Sequence, residues 1–194
     1  MKNNITYLLI TALAIFTQSA IAQKDSSGIY KTAEDYKTHK LSYAINYKTE
    51  KHKINSWLLF KGNIVRVKHQ GVTYDLKKSE TYGYRDIKGK EYRFIGEVEY
   101  TILNPGEPLL LYFYQHPAHS GKEADKYRPA YFFTTDAASV PQALTKENLK
   151  SAYPDKHKFH DELDAQCKDD KDLYAYDQFH KMYKLNWIYK QTIE

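Results

Sequence analysis

Between Leu41 and Thr134 apolar residues tend to recur at every second position, and short polar turns break the pattern. Leu41, Tyr43, Ile45 and Tyr47 alternate with Ser42, Ala44, Asn46 and Lys48, the period of a strand with one buried face. Residues 54–60 are apolar on both faces through Trp57, Leu58, Leu59 and Phe60, which predicts a central strand covered on both sides. Lys61-Gly62-Asn63 then makes a hairpin turn into a strand over 63–69, and Gln70-Gly71 turns into Val72–Lys77. In that strand Val72, Tyr74 and Leu76 share a face. A short strand is expected over 81–85. Residues 91–103 read as one long strand with a bulge or bend at Gly96. After the turn Asn104-Pro105-Gly106-Glu107-Pro108, residues 109–115 form the most apolar run and the strand expected to be most buried. Ala130–Thr134 closes the series.

Two flanking segments carry a different pattern. Upstream, 23–28 is polar and reads as a loose terminus. Residues 29–36 read as a helical turn with Thr32 as N-cap and Asp35 at the capping-box position. Downstream of 144 the period becomes helical. Thr145 caps a helix over 146–153 that Pro154 ends. A second helix starts at Asp155 or Lys156 and carries Phe159, Leu163 and Cys167 at i, i+4, i+8. Asp170 is expected to cap a last helix in which Leu173, Tyr176, His180, Tyr183 and Trp187 share a face.

Strands followed by helices, without a strand–helix–strand crossover, are the order of an α+β protein. The expected architecture is a curved antiparallel β-sheet or partly closed barrel of roughly seven to nine strands, followed by a C-terminal helical segment. No internal repeat and no low-complexity stretch interrupts it. Residues 23–140 would form the meander, and 141–194 would pack on it within the same globular unit.

The first 22 residues stand apart. Lys2 is followed by an apolar run from Tyr7 to Phe16 and by Ala20-Ile21-Ala22, the charge, core and small-residue cut of a signal peptide. The apolar run is shorter than the about 20 residues that span a bilayer. Cleavage after Ala22 leaves Gln23, not Cys, at the new terminus, so the usual bacterial lipid attachment has no acceptor there. The expected location is periplasmic or secreted, with no membrane span after cleavage. Lys2 is the only charged residue in the leader, so its removal takes the net charge from +5 to +4. The remaining Lys, Asp and Glu are interspersed, the pattern of a solvated surface. A nucleic-acid partner is not expected, because no basic block stands out.

Cys167 is the single cysteine, so the chain has no internal disulfide and must hold by packing alone. Its acidic neighbours Asp169 and Asp170 argue for a small buried apolar residue rather than an activated thiolate. Tyrosine is the outlying count, 19 residues with 18 after the leader. A Tyr ring packs on a pleated sheet while its hydroxyl reaches water or a partner, and an exposed set of such rings can bind glycans or proteins.

Three groups of residues are candidates for chemistry. His116 and His119 share a loop with Glu123 and Asp125, which gives two plausible ligands where zinc takes three or four. His157 and His160 stand at i, i+3 on a helix with Asp161 and Asp164, a spacing that differs from the i, i+4 histidines of the H-E-x-x-H site. Glu97 and Glu99 share a strand face, with Glu91 and Glu107 near in sequence, and paired carboxylates can hydrolyse glycosides across a cleft. A solvated loop, helix or strand face explains each group as well. No nucleophile elbow, Walker loop or dinucleotide fingerprint is present, so no catalytic residue and no cofactor is assigned.

Residues 28–36 (Gly-Ile-Tyr-Lys-Thr-Ala-Glu-Asp-Tyr), the run from Tyr92-Arg93-Phe94 to Tyr112, and Leu144-Thr145-Lys146-Glu147-Asn148-Leu149 leading to Tyr176-Asp177 together resemble small secreted proteins of Bacteroidota that have no assigned activity. The resemblance spans most of the mature chain and implies export; it carries no catalytic residues. The expected function is that of a non-catalytic binding or envelope-associated protein whose partner is another protein or a small ligand. The alternatives are a secreted or periplasmic hydrolase of polymers, with His116 or His119 meeting Glu97 or Glu99, and a metal-binding protein.

Overall fold

The computed structural model describes residues 26–49, 53–57, 62–115 and 129–193. The leader, the loop histidines His116 and His119, and Leu58, Leu59 and Phe60 lie outside the described residues. The elements are β1 (Ser26–Tyr30), α1 (Ala33–Lys37), β2 (Ser42–Asn46), β3 (Lys53–Asn55), β4 (Ile64–His69), β5 (Val72–Lys77), β6 (Gly83–Arg85), β7 (Glu91–Ile95), β8 (Val98–Ile102), β9 (Leu110–Tyr114), β10 (Ala130–Thr134) and β11 (Gln142–Ala143). They continue as α2 (Lys146–Ala152), α3 (His157–Gln166), a 3₁₀ turn (Asp170–Tyr174), β12 (Tyr176–Asp177), β13 (Met182–Tyr183) and α4 (Lys184–Thr192). A further 3₁₀ turn, Lys78–Glu80, follows β5.

The chain is α+β. Eight strands form an antiparallel sheet in the order β11-β10-β9-β8-β7-β6-β1-β2, with separate sheets β3-β4-β5 and β12-β13. The eight-strand order is linear, so this sheet is open rather than closed into a barrel. The chain divides after Val98 into two compact units.

In the first unit β1 pairs with β6 on one side and β2 on the other. Ser26–Gly28 is therefore strand, not a loose terminus, and Ser27 is fully buried. Ile29 and Tyr30 are strand as well, because the helix can begin only after its cap. Thr32 accepts from the Asp35 N–H and the Asp35 carboxylate accepts from the Thr32 N–H, the reciprocal box expected at this position. Tyr43 sits at φ +53 where the β1–β2 register slips, which breaks the alternation of 41–47; of its apolar set Ile45 alone is fully buried. A Cβ on Gly83 would lie 1.9 Å from the Tyr92 carbonyl oxygen, so only glycine admits the β6–β7 pairing. Ile29, Val65, Val67, Tyr84 and Phe94 make the core.

The expected central strand over 54–60 is corrected. β3 is a three-residue strand paired with β4 at the end of the small sheet. The Asn55 side chain accepts from the Trp57 N–H at 2.9 Å, a local bond that ends the strand, and Trp57 is 65% exposed. Residues 91–103 are also corrected, from one bulged strand to two. Gly96, at φ +60, lies in the turn between β7 and β8.

In the second unit β9 and β10 pair in register from Ala130↔Tyr114 to Thr134↔Leu110. β11 adds a strand where a linker was expected. Alternation sorts β9: Leu109 and Leu111 join Phe133 against the helices, whereas Tyr112 contacts Tyr100 and reaches the Thr134 hydroxyl at 3.2 Å. Thr145 caps α2 by accepting from the Asn148 N–H. Phe159, Leu163 and Cys167 are fully buried, as their spacing predicts, and they pack with Leu149, Leu173, Leu185 and Ile188. No described helix is long and apolar enough to cross a membrane.

The single last helix expected from Asp170 is corrected. Asp169, not Asp170, caps the 3₁₀ turn, reciprocally with Asp172. The chain then makes the β12–β13 hairpin before α4 begins. Asp177 decides this. One of its carboxylate oxygens accepts from the N–H groups of Phe179 and His180, at 2.8 and 3.1 Å, and so offers the backbone an alternative to helix.

A cleft between the β8–β9 turn and the C-terminal hairpin

A cavity of about 220 Å³ lies in the second unit, lined by Leu103, Asn104, Pro105 and Glu107 from one segment and by Tyr176, Lys181, Met182, Tyr183 and Asn186 from the other. Two buried asparagines fix its floor. The Asn104 amide nitrogen donates to the Leu109 carbonyl at 2.7 Å and to the Asn186 side-chain oxygen at 2.9 Å. Its oxygen accepts from the Leu111 N–H at 2.6 Å, and the Asn186 nitrogen donates to the same Leu109 carbonyl at 2.9 Å. These bonds tie the β8–β9 turn to α4. Gly106, at φ +83, lets the turn close, and Lys190 anchors Glu107 at 2.8 Å.

The opposite wall is the hairpin. Tyr176 and Tyr183 face each other across it as perpendicular rings 5.4 Å apart. Lys184 N–H donates to the Ala175 carbonyl at 2.9 Å and closes its base. At its far end the His180 ring stacks on Trp187 at 3.6 Å, and His180 Nδ1 lies 2.6 Å from the second Asp177 oxygen. His180 and two backbone N–H groups hold the Asp177 carboxyl below the usual aspartate range. Burial, then Tyr131 and Tyr176, pushes the Tyr183 phenol up. Tyr176 is 47% exposed and Phe179 87% exposed, so the hairpin presents aromatic surface to solvent.

A second hollow, about 320 Å³, is lined in the first unit by Lys53, Ile54, Asn55, Asp86 and Ile87. Its carboxylate is occupied by structure: Asp86 accepts from the N–H groups of Lys88 and Lys90 and from the Tyr92 hydroxyl, and so builds the β6–β7 turn. A buried polar pair lies elsewhere in that unit. Tyr30, fully buried, donates to Glu91 at 2.9 Å, and Glu91 is 3% exposed. Burial raises the Glu91 carboxyl above its usual value against the opposing effect of Tyr30, Arg85, His39 and Tyr36.

Glu97 lies exposed in the turn after β7, and Glu99 is half-buried on β8. Glu91 belongs to the first unit's interior and Glu107 to the second unit's cleft. His157 and His160 are on α3 as expected, with ring centres 6.1 Å apart. His160 Nε2 is 2.8 Å from the Tyr153 carbonyl, and Asp164 is engaged by Lys150 at 2.5 Å. Among the described residues no three His, Cys, Asp or Glu side chains come together as metal ligands. Sequence reasoning missed the cleft because its walls lie about 70 residues apart, a separation that only folding closes. Two local signals were available: the Asn104-Pro105-Gly106 turn and the Asp177-x-Phe179-His180 turn. No family model, no curated protein and no solved structure matches the chain.

Proposed function

We propose that this is an exported, non-catalytic binding protein whose ligand seats in the cleft between the β8–β9 turn and the β12–β13 hairpin. The observation that carries the reading is the division of labour within the cleft. The two buried asparagines hold the walls, and what faces a ligand is mixed: the Tyr176 and Tyr183 side chains, Met182, the Lys181 ammonium and the Glu107 carboxylate already paired with Lys190. A floor fixed by hydrogen bonds under a rim that carries two tyrosines suits recognition, in which a few placed polar groups set orientation. The Asp177–His180 pair supports hairpin geometry, and stacking on Trp187 covers one face of the imidazole. Export is supported by Lys2, the apolar run after it and Ala20-Ile21-Ala22.

A fragment screen read by amide chemical shifts on the full chain tests the location. Fragments that bind are expected to perturb Glu107, Lys181, Met182 and Asn186 together. Fragments that gather at another surface and leave those amides unmoved would refute the cleft as the seat.

A further inference from the structure

Tyr131 and Tyr174, both in the second unit, stack with ring centres 3.7 Å apart and planes 4° from parallel. Aromatic pairs usually settle edge-on or offset with centres about 4.5–7 Å apart, because the electron-rich faces of two rings repel. Other tyrosine pairs keep to that range: Tyr84 and Tyr92 at 4.6 Å, Tyr43 and Tyr74 at 4.7 Å, Tyr36 and Tyr82 at 5.0 Å. The backbone on both sides sets the close stack. Tyr131 is held in β10, paired with Phe113 of β9, and its carbonyl accepts from the Leu144 N–H at 2.9 Å. Tyr174 ends the 3₁₀ turn that Asp169 and Asp172 cap. Both rings pack on the core of the second unit but are only half-buried, so each keeps an open edge to solvent.

Nearly parallel rings this close overlap, so the carbons ortho to one hydroxyl lie against the other ring at van der Waals contact, roughly 3.5–4.0 Å. A one-electron oxidant removes an electron from a phenol, and the hydroxyl proton leaves to water. The phenoxyl radical that results carries its spin on oxygen and on the ortho carbons. Two such radicals in contact form a bond between ortho carbons, and each ring becomes aromatic again when its ortho hydrogen moves to oxygen. The sum is two phenols joined with loss of two electrons and two protons, the electrons reducing two equivalents of oxidant. We propose that Tyr131 and Tyr174 form an oxidative crosslinking site, which a diffusible one-electron oxidant converts to dityrosine within one chain. The bond closes a loop of about 40 residues and ties β10 to the turn that leads into the β12–β13 hairpin. In a chain with a single cysteine it supplies the covalent tie that no internal disulfide can. The site does not depend on what the cleft binds.

Brief oxidation of the dilute full chain with photogenerated ruthenium(III) tris-bipyridyl tests this. The expected product is a monomer two hydrogens lighter, with the fluorescence of dityrosine, whose tryptic peptides are joined from Tyr131 to Tyr174 when sequenced by fragmentation. Its melting temperature should rise above that of the unoxidised chain. Tyr131→Phe and Tyr174→Phe each keep a ring in the stack but leave one phenol without a partner to oxidise, so each should lose this link. If a Phe variant fails to fold, the wild-type peptide map alone decides. A link mapped to other tyrosines, dityrosine found only between chains, or an undiminished yield in folded Phe variants overturns the proposal. So does the absence of dityrosine in the chain when free N-acetyltyrosine in the same mixture couples.

Discussion

Tyr30 and Glu91 form a buried polar contact in the first unit. A carboxyl at 3% exposure loses most of its hydration, and the Tyr30 hydroxyl at 2.9 Å returns part of what burial costs. Because Glu91 is raised above its ordinary value of 4.5, between the unfolded and the folded values the folded chain binds the proton more readily than the unfolded chain does. Glu91 thus contributes stability that is present below the ordinary glutamate range and lost as pH rises through the folded value. Glu91→Gln keeps an acceptor for Tyr30 and abolishes this titration. Urea unfolding from mildly acidic to neutral pH should show the variant losing less stability on the way up than the wild type. Tyr30→Phe removes the donor and should cost about 1–3 kcal/mol at neutral pH, with part of that loss absent in the Glu91→Gln background. A Tyr30→Phe cost within about 0.5 kcal/mol, the range of an ordinary surface change, would mean that the pair is not coupled.

At the scale of elements, Asp177 makes a hairpin of a sequence whose apolar spacing reads as helix. Leu173, Tyr176, His180, Tyr183 and Trp187 do recur at helical intervals, yet the Asp177 carboxylate accepts from the N–H groups of Phe179 and His180 and turns the chain back. Asp177→Ala should cost about 1 kcal/mol and release His180 from Trp187. Since Asp177 is held below the ordinary range, its contribution is present above the unfolded value and lost as pH falls through the folded one. In a Trp57→Phe background, which isolates Trp187, fluorescence should change on acidification, and Asp177→Ala should show the acid-state signal already at neutral pH. Identical titrations of the two proteins would remove Asp177 from this role. The same conflict explains what was legible in the sequence. Period-two runs placed β4 and β5, continuous apolar runs placed β9 and β10, and the Thr32 and Thr145 caps placed two helix starts, because in each the local bonds and the burial pattern agree. The reading failed where a short polar side chain or a positive-φ glycine outweighed the pattern, at Asn55, Gly96 and Asp177. The cleft was illegible for a different reason: Asn104 and Asn186 acquire their role only when the chain brings them together.

At the scale of the whole molecule, a chain with one cysteine has no covalent crosslink of its own, and each unit rests on its apolar core. Cys167 follows α3 and is fully buried with Phe159 and Leu163. Burial pushes its thiol up, Asp172 adds to the rise, and Lys184 and Lys146 oppose it. A protonated, enclosed thiol is a poor nucleophile, since the thiolate is the species that attacks. An intermolecular disulfide through Cys167 would therefore require the second unit's core to open. A thiol reagent such as Ellman's should leave the native chain unlabelled and react fully once urea has unfolded it. Reductant should leave the melting temperature unchanged, because there is no loop-closing bond to break. Labelling of the native protein as fast as of the unfolded chain, or a reductant-sensitive dimer on a denaturing gel, would show that the core around Cys167 opens readily. Slow labelling is the more informative result, because its rate then tracks the opening of the same core that supports α4 and the floor of the cleft.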